Sequence, residues 1–170
     1  MQTALERSGP ATVPRGLNDK QRHGYLAIPP EMDFVYHNSF SCPNAESEFF
    51  GRNRKELNIR QWRHFPQIPD EREKSIPARK SPTKSQEQLL FLRYNYARWR
   101  LSRLIEKQQK RVSKARALEM IRWHRRVRRG RANLSAANMA LVVAMAKRTR
   151  IPNVEFSELI SLSLIHISEP

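Results

Sequence analysis

Proline placement divides this 170-residue chain into two parts with different folding prospects. Nine of the eleven prolines fall at or before Pro82. Proline removes a backbone donor and clashes with the preceding helical turn, so this part of the sequence disfavours long helices. Charged residues between the prolines leave little apolar surface to bury. We therefore predict that residues 1–82 form a largely disordered leader, in which short aromatic stretches around Phe34 and Phe49 form a transient helix, dock on a partner or collapse onto the nearest helix.

The sequence after Pro82 has the apolar periodicity of helices. Thr83 and Gln86 have the spacing of a capping box, which predicts a long helix over about residues 84–108. Tyr96 and Trp99 fall on the same helical stripe as the leucines of this segment, so we predict that both are core residues.

Further helices are predicted downstream of this segment. One begins near Val112 and ends at Gly130, because glycine commonly terminates a helix. Another covers about residues 132–149, Pro152 forces a break, and a last helix starts near Val154. The fold class predicted from these patterns is all-α, a small helical bundle that follows a disordered leader.

Positive charge is concentrated in one part of the chain. The formal net charge is +16, and residues 93–131 hold fifteen Lys or Arg against Glu106 and Glu119, which is +13 by subtraction. Such a field favours a polyanionic partner, DNA or RNA, whereas an acidic membrane surface would require a cleaner apolar face. The candidate nucleic-acid-binding residues are Arg93, Arg98, Arg100, Arg122, Arg125, Arg126, Arg128, Arg129 and Arg131.

Aromatic residues interleave with the arginines around Tyr94 and suggest a second mode of binding. Rings can stack on unpaired bases while guanidinium groups hold phosphates. Tyr94 lies off the apolar stripe, so it is predicted to be exposed and to be the better stacking candidate. The alternative is that these rings are core residues, which the spacing favours for Tyr96 and Trp99.

Catalytic and metal chemistry have no support in the residue pattern. The histidines are scattered, and His124 within its arginine run is predicted to be a solvated position or a phosphate contact. Cys42 is the single cysteine, and the glycines never cluster into a phosphate loop. We expect no catalytic residue, no metal, no cofactor and no small-molecule substrate. The amino terminus lacks a secretion signal and no apolar run is long enough to span a bilayer, so we expect a cytoplasmic protein without membrane contact.

Residues 134–161 carry a pattern that is more specific than amphipathicity. Alanine and asparagine precede a Leu-Val-Val run, alanine and lysine follow it, and a second segment begins with phenylalanine. The block resembles the opening of region two in the sigma-70 class of bacterial RNA polymerase initiation factors. The matching positions are Leu134, Ala137, Asn138, Leu141, Val142, Val143, Ala146, Lys147, Phe156, Leu159 and Ile160.

The resemblance implies a function and a set of contacts. It implies a transcription initiation factor that binds core RNA polymerase, at the clamp helices of the largest subunit, and directs it to promoter DNA. The polymerase-binding positions it implies are Phe156, Glu158, Leu159 and Ser161. Ser157 and Ser161 depart from the family pattern, which has a larger apolar residue and a glutamine there. The alternative function is that of a basic helical RNA-binding or ribosome-associated protein.

The sequence after Pro82 is interpreted as a partial domain followed by a short segment of different origin. Residues 83–161 are predicted to be a partial sigma-70 region 1.2/2 helical domain, in which the helix after Thr83 resembles, more weakly, the segment preceding region two. Residues 162–170 resemble a translated sequencing-library adapter and are expected to be an artefact. On that interpretation the family pattern stops at Ser161 and the fragment is expected to be inactive.

Overall fold

A computed structural model of the chain describes residues 12–52, 57, 83–149 and 154–168. All regular structure within these ranges is helical, which confirms the predicted all-α class. The elements are α1 (Asp19–Leu26), a short 3-10 helix (Asn38–Ser41), α2 (Ala45–Phe50), α3 (Lys84–Lys110), α4 (Lys114–Arg148) and α5 (Phe156–Ser168).

Helix α3 begins where its capping residues predict. The Thr83 backbone N–H donates to Gln86 Oε1 at 2.9 Å, which is one half of the predicted capping box. The Thr83 hydroxyl lies instead 3.1 Å from the Ser85 hydroxyl. The predicted extent of this helix is therefore confirmed to within two residues at its carboxyl end.

Helix α4 corrects the prediction that Gly130 ends a helix. The helix continues through Gly130 without interruption, and the glycine with a positive φ in the described chain is Gly16 rather than Gly130. A glycine inside a helix costs only about 1 kcal/mol relative to alanine, which the packing of a 35-residue helix can offset. The predicted second and third helices are thus one element, which ends at Arg148 before the proline.

The chain divides into two compact units. The first combines Met1–Glu46 with Leu92–Arg129, and the second combines Ser47–Phe91 with Gly130–Pro170. In the first unit, buried side chains from the leader join buried side chains from α3 and α4. They are Tyr25, Ile28, Phe40, Ala45, Tyr94, Tyr96, Ala97, Leu101, Leu104, Ile105, Ala117, Met120, Ile121, Trp123 and Val127.

The prediction of a disordered leader is wrong for residues 12–46. Asn18 and Gln21 form a reciprocal capping box that starts α1, and the Gln108 side chain of α3 donates to the Tyr25 hydroxyl at 3.2 Å. Phe40 contributes a buried ring farther along. Aromatic groups and one local cap therefore compensate for the low overall hydropathy of this segment. Residues 1–11, 53–56 and 58–82 of the predicted leader lie outside the described ranges.

The second unit has its own small core. Met139, Val142, Val143 and Ala146 of α4 form one buried cluster with Phe156 and Ile160 of α5, and Leu159 packs against it partly buried. Upstream in α4, the Asn138 Nδ2 donates to the Leu134 carbonyl at 2.9 Å, so the amide is satisfied within its own helix. The apolar spacing of residues 134–161 thus builds the contact between two helices.

Candidate nucleic-acid interface

The nine predicted nucleic-acid-binding arginines fall into different environments. Arg98 is buried, whereas Arg93, Arg100 and Arg126 are half-buried. The remaining members of the set are exposed on α4: Arg122, Arg125, Arg128, Arg129 and Arg131. Exposure therefore favours α4 over α3 as the element that presents positive charge to a partner.

Arg98 is an internal residue of the first unit. Its side chain is 7% exposed, and its guanidinium carbon lies 5.1 Å from the centroid of the Tyr94 ring. Such a distance is that of a cation–π contact. A residue so enclosed presents little surface to a phosphate, so its predicted role is not favoured by its environment.

Tyr94 corrects the prediction that its ring is exposed. Tyr94 is 7% exposed and Tyr96 is 3% exposed, so both rings belong to the interior. Helix α3 is buried around more of its circumference than one apolar stripe would indicate, because Ala97 and Leu101 are also fully buried. The predicted core position of Tyr96 is confirmed, and Trp99 is half-buried.

Arg100 and Arg126 share a carboxylate that comes from the leader. Glu46 Oε2 lies 3.5 Å from Arg100 Nη2, and Glu46 Oε1 lies 3.3 Å from Arg126 Nη1. Arg100 also lies 3.3 Å from Glu119 Oε1, and both guanidinium groups lie over the Trp123 ring at 5.4 and 4.2 Å. These arginines are largely engaged in holding the first unit together. Sequence reasoning missed Glu46, because no local pattern links it to arginines more than fifty positions away.

Replacing Glu46 with glutamine is expected to lower the free energy of unfolding by about 1 kcal/mol, since two partly exposed ion pairs lose their charge while the side-chain shape is kept. Urea unfolding measures this change. Glu48→Gln is the matched control, because Glu48 is an exposed carboxylate on the same helix and should stay within about 0.5 kcal/mol of the wild type. Equal effects of the two substitutions would contradict a specific role for Glu46.

His124 lies on α4 beside the exposed arginines and is half-buried. Burial of the ring, followed by the positive charge of Arg128, lowers the pKa of His124 below its usual 6.5. Packing covers part of the ring, so the position is less solvated than the sequence predicted, and the alternative of a phosphate contact stays a prediction.

The lowered pKa of His124 has a consequence for stability. Below pH 6.5 the unfolded chain binds a proton at this residue before the folded chain does, so the free energy of unfolding should fall as the pH is lowered from 6.5 toward the pKa of the folded state. Above neutral pH the residue should contribute no such loss. An NMR titration of the His124 ring tests the lowered pKa. Urea unfolding of His124→Gln tests the effect on stability, because this variant should lose the pH-dependent change in the free energy of unfolding. A ring midpoint above 6.5 would contradict the expectation.

The predicted polymerase-binding residues are brought together at the start of α5, but they differ in exposure. Phe156 is 8% exposed and belongs to the core of the second unit, and Leu159 is partly buried against it. Glu158 is exposed, and Ser161 is exposed with its hydroxyl donating to the Ser157 carbonyl at 2.9 Å. The side chains that can meet a partner directly are thus Glu158 and Ser161.

Helix α4 also presents apolar side chains to solvent in the second unit. Leu141 is 57% exposed and Met145 is 55% exposed, one helical turn apart. Sequence reasoning counted Leu141 within the family-like block but did not separate it from the buried Val142 and Val143. The signal for exposure is its position opposite the buried stripe of the same helix.

Comparisons with known proteins identify no relative: no protein-family model, no curated protein and no solved structure matches this chain. In the described ranges, no helix combines the length and apolar character that crossing a bilayer requires. The same ranges contain no cluster of histidine, cysteine or carboxylate side chains suited to a metal ion.

Proposed function

We propose that this protein is a cytoplasmic transcription initiation factor of the sigma-70 type, which binds core RNA polymerase and promoter DNA and catalyses no reaction itself. The observation that carries the proposal is the division of the block over residues 134–161. Its buried positions join α4 to α5, while Leu141, Met145 and Glu158 remain at the surface. A partner-binding element requires a packed scaffold together with exposed side chains that contact the partner.

The charge at the start of α5 supports the choice of partner. Glu155 and Glu158 are exposed carboxylates at this end, within a chain whose net charge is +16. Their charge suits the basic surface of the polymerase clamp helices that the family contacts. Leu141 and Met145 add exposed apolar surface. Burial of such surface stabilises a complex with another protein.

Capture by core RNA polymerase tests the proposal. Immobilised core polymerase should retain the wild-type chain, and Glu158→Lys should weaken retention roughly tenfold, because it places a positive charge against a basic surface. Binding is the appropriate measurement, since the promoter-melting helices of the family lie outside the resemblance. The chain is therefore expected to bind polymerase while remaining inactive in transcription initiation.

Glu48→Lys is the matched control for this experiment. It makes the same charge change at an exposed residue on another helix, so it should leave retention unchanged. Equal weakening by both substitutions would remove the assignment of Glu158. Absence of any retention of the wild-type chain would contradict the proposed function.

RNA binding is the second candidate function. It is favoured by one observation, namely that Arg122, Arg125, Arg128 and Arg129 are exposed in the first unit, whereas α5 and the family-like block belong to the second. Under this alternative, a structured RNA should bind tightly while core polymerase is not retained. The same retention assay, with a ribosomal RNA hairpin as the second ligand, separates the two functions.

A further inference from the structure

We propose that one exposed face of α4, the basic stripe of Lys114, Arg122, Arg125 and Arg129, binds the phosphate backbone of duplex DNA without reading its bases. The inference refines the DNA-binding part of the proposed function, and its preference for DNA over RNA rests on that function. All four residues belong to the first unit, so the stripe needs nothing from α5.

Helix geometry places these residues on one side of α4. At about 100° per residue, the four positions fall within an arc of about 80°. Each of them is exposed. From Lys114 to Arg129 the helix rises about 22 Å, a length that equals about six base-pair steps along the axis of a DNA duplex. The stripe is therefore long enough to contact several successive phosphates.

The stripe carries positive charge that no carboxylate pairs with in the part of the chain that the structure describes. In the described part of the chain, none of the ion pairs involves Lys114, Arg122, Arg125 or Arg129. Glu119, the carboxylate of α4 in this unit, lies beside the stripe and faces Arg100 at 3.3 Å. These cations are free to replace the counterions that surround DNA.

A second basic face in the same unit lacks this property. Arg103, Lys107 and Lys110 are exposed on α3, but Glu106 lies among them and pairs with Arg103 at 3.2 Å. The local charge of that face is therefore partly cancelled. It offers an internal comparison, because three cations can be removed from it, the same number that the test removes from the stripe.

The aromatic residues that α3 and α4 contribute to the first unit favour a duplex over a single-stranded ligand. Single strands are held largely by bases that stack on exposed rings. Here Tyr94, Tyr96 and Trp123 are buried, and the half-buried Trp99 packs within 5.9 Å of Phe40. Phosphate contacts remain, and they are densest on a duplex. Lysine and arginine contacts to phosphate position a protein without specifying sequence.

The test is fluorescence anisotropy with a labelled duplex DNA of arbitrary sequence, titrated at several salt concentrations. The variant Arg122→Gln, Arg125→Gln, Arg129→Gln should bind roughly tenfold more weakly at about 100 mM salt, and the slope of log affinity against log salt should flatten by about 2.7. The control variant Arg103→Gln, Lys107→Gln, Lys110→Gln removes the same charge and should change affinity by less than about threefold.

Several outcomes would overturn the inference. Equal losses in the two triple variants would show that net charge, not the stripe, determines binding. Tighter binding of single-stranded DNA, of duplex RNA or of phosphatidylserine vesicles than of duplex DNA would assign the stripe to another ligand. A dependence of affinity on base sequence greater than about tenfold would contradict backbone recognition.

Polymerase retention by the same proteins separates this inference from the proposed function. If polymerase retains the wild-type chain and the stripe variant binds duplex DNA with unaltered affinity, the proposed role of the basic stripe is contradicted and the proposed function is not. If the stripe variant loses duplex affinity but immobilised polymerase does not retain the wild-type chain, the proposed function is contradicted and the role of the basic stripe is supported.

Discussion

Substitution of Phe40 by alanine is expected to lower the free energy of unfolding by about 3–5 kcal/mol. Phe40 is 2% exposed, and its ring lies edge-on to Tyr96 at 5.4 Å and tilted against Trp99 at 5.9 Å. Truncation removes a large apolar surface, loses these ring contacts and leaves a cavity between the leader and α3. Urea unfolding followed by tryptophan fluorescence should show the loss, because Trp99 lies beside the substituted ring.

Tyr36→Ala provides the comparison for Phe40→Ala. Tyr36 also contacts the Phe40 ring, at 5.9 Å, but it is 51% exposed. Its truncation should therefore cost no more than about 1 kcal/mol, from the lost ring contact and the lost hydrogen bond to Ser41. Similar small changes for both substitutions would mean that the leader contributes little to the stability of the first unit.

Helix α3 was predictable because its signals are local. A capping pair at Thr83 and Gln86 and an apolar stripe through Tyr96 act within a few turns of the same helix, so sequence spacing reports them directly. The same is true of the break before α5. In each case the decisive interactions connect residues that are neighbours along the chain.

The leader and Gly130 were mispredicted because their structure depends on distant partners. The contact between Gln108 and Tyr25 joins residues 83 positions apart, and no local pattern indicates it. Glycine has a low helix propensity and often ends a helix. At Gly130, however, the packing of α4 on either side of the residue outweighs this preference. Tertiary contacts decided both positions.

The sequence shows which segment of the chain concentrates the cations, but not which of these cations are exposed. Charge density alone marks residues 93–131, yet exposure separates Arg122, Arg125 and Arg129 from the buried Arg98. The difference depends on which rings and carboxylates fill the first unit. Glu46, which occupies Arg100 and Arg126, lies in the leader, so its effect on the site could not be anticipated from the arginine run.

Phe156→Ala is expected to have the other large effect, a loss of about 3–5 kcal/mol in the stability of the second unit. Phe156 was implied by resemblance to be a polymerase contact, but it is 8% exposed and belongs to the cluster with Val142, Val143 and Ile160. Its truncation should release α5 from α4. Hydrogen exchange over residues 156–160 should therefore accelerate strongly, whereas exchange in the first unit should change little.

Comparison with Glu158→Lys distinguishes a packing role of Phe156 from a direct contact with polymerase. If Phe156 supports the interface by packing, Phe156→Ala should lose both α5 protection and polymerase retention, whereas Glu158→Lys should lose retention alone because Glu158 is exposed. Leu162→Ala, at a residue that is 54% exposed, should leave α5 protection nearly unchanged. Loss of retention in Phe156→Ala with α5 protection intact would contradict the packing role and would make Phe156 a direct contact, reached only after the helix moves.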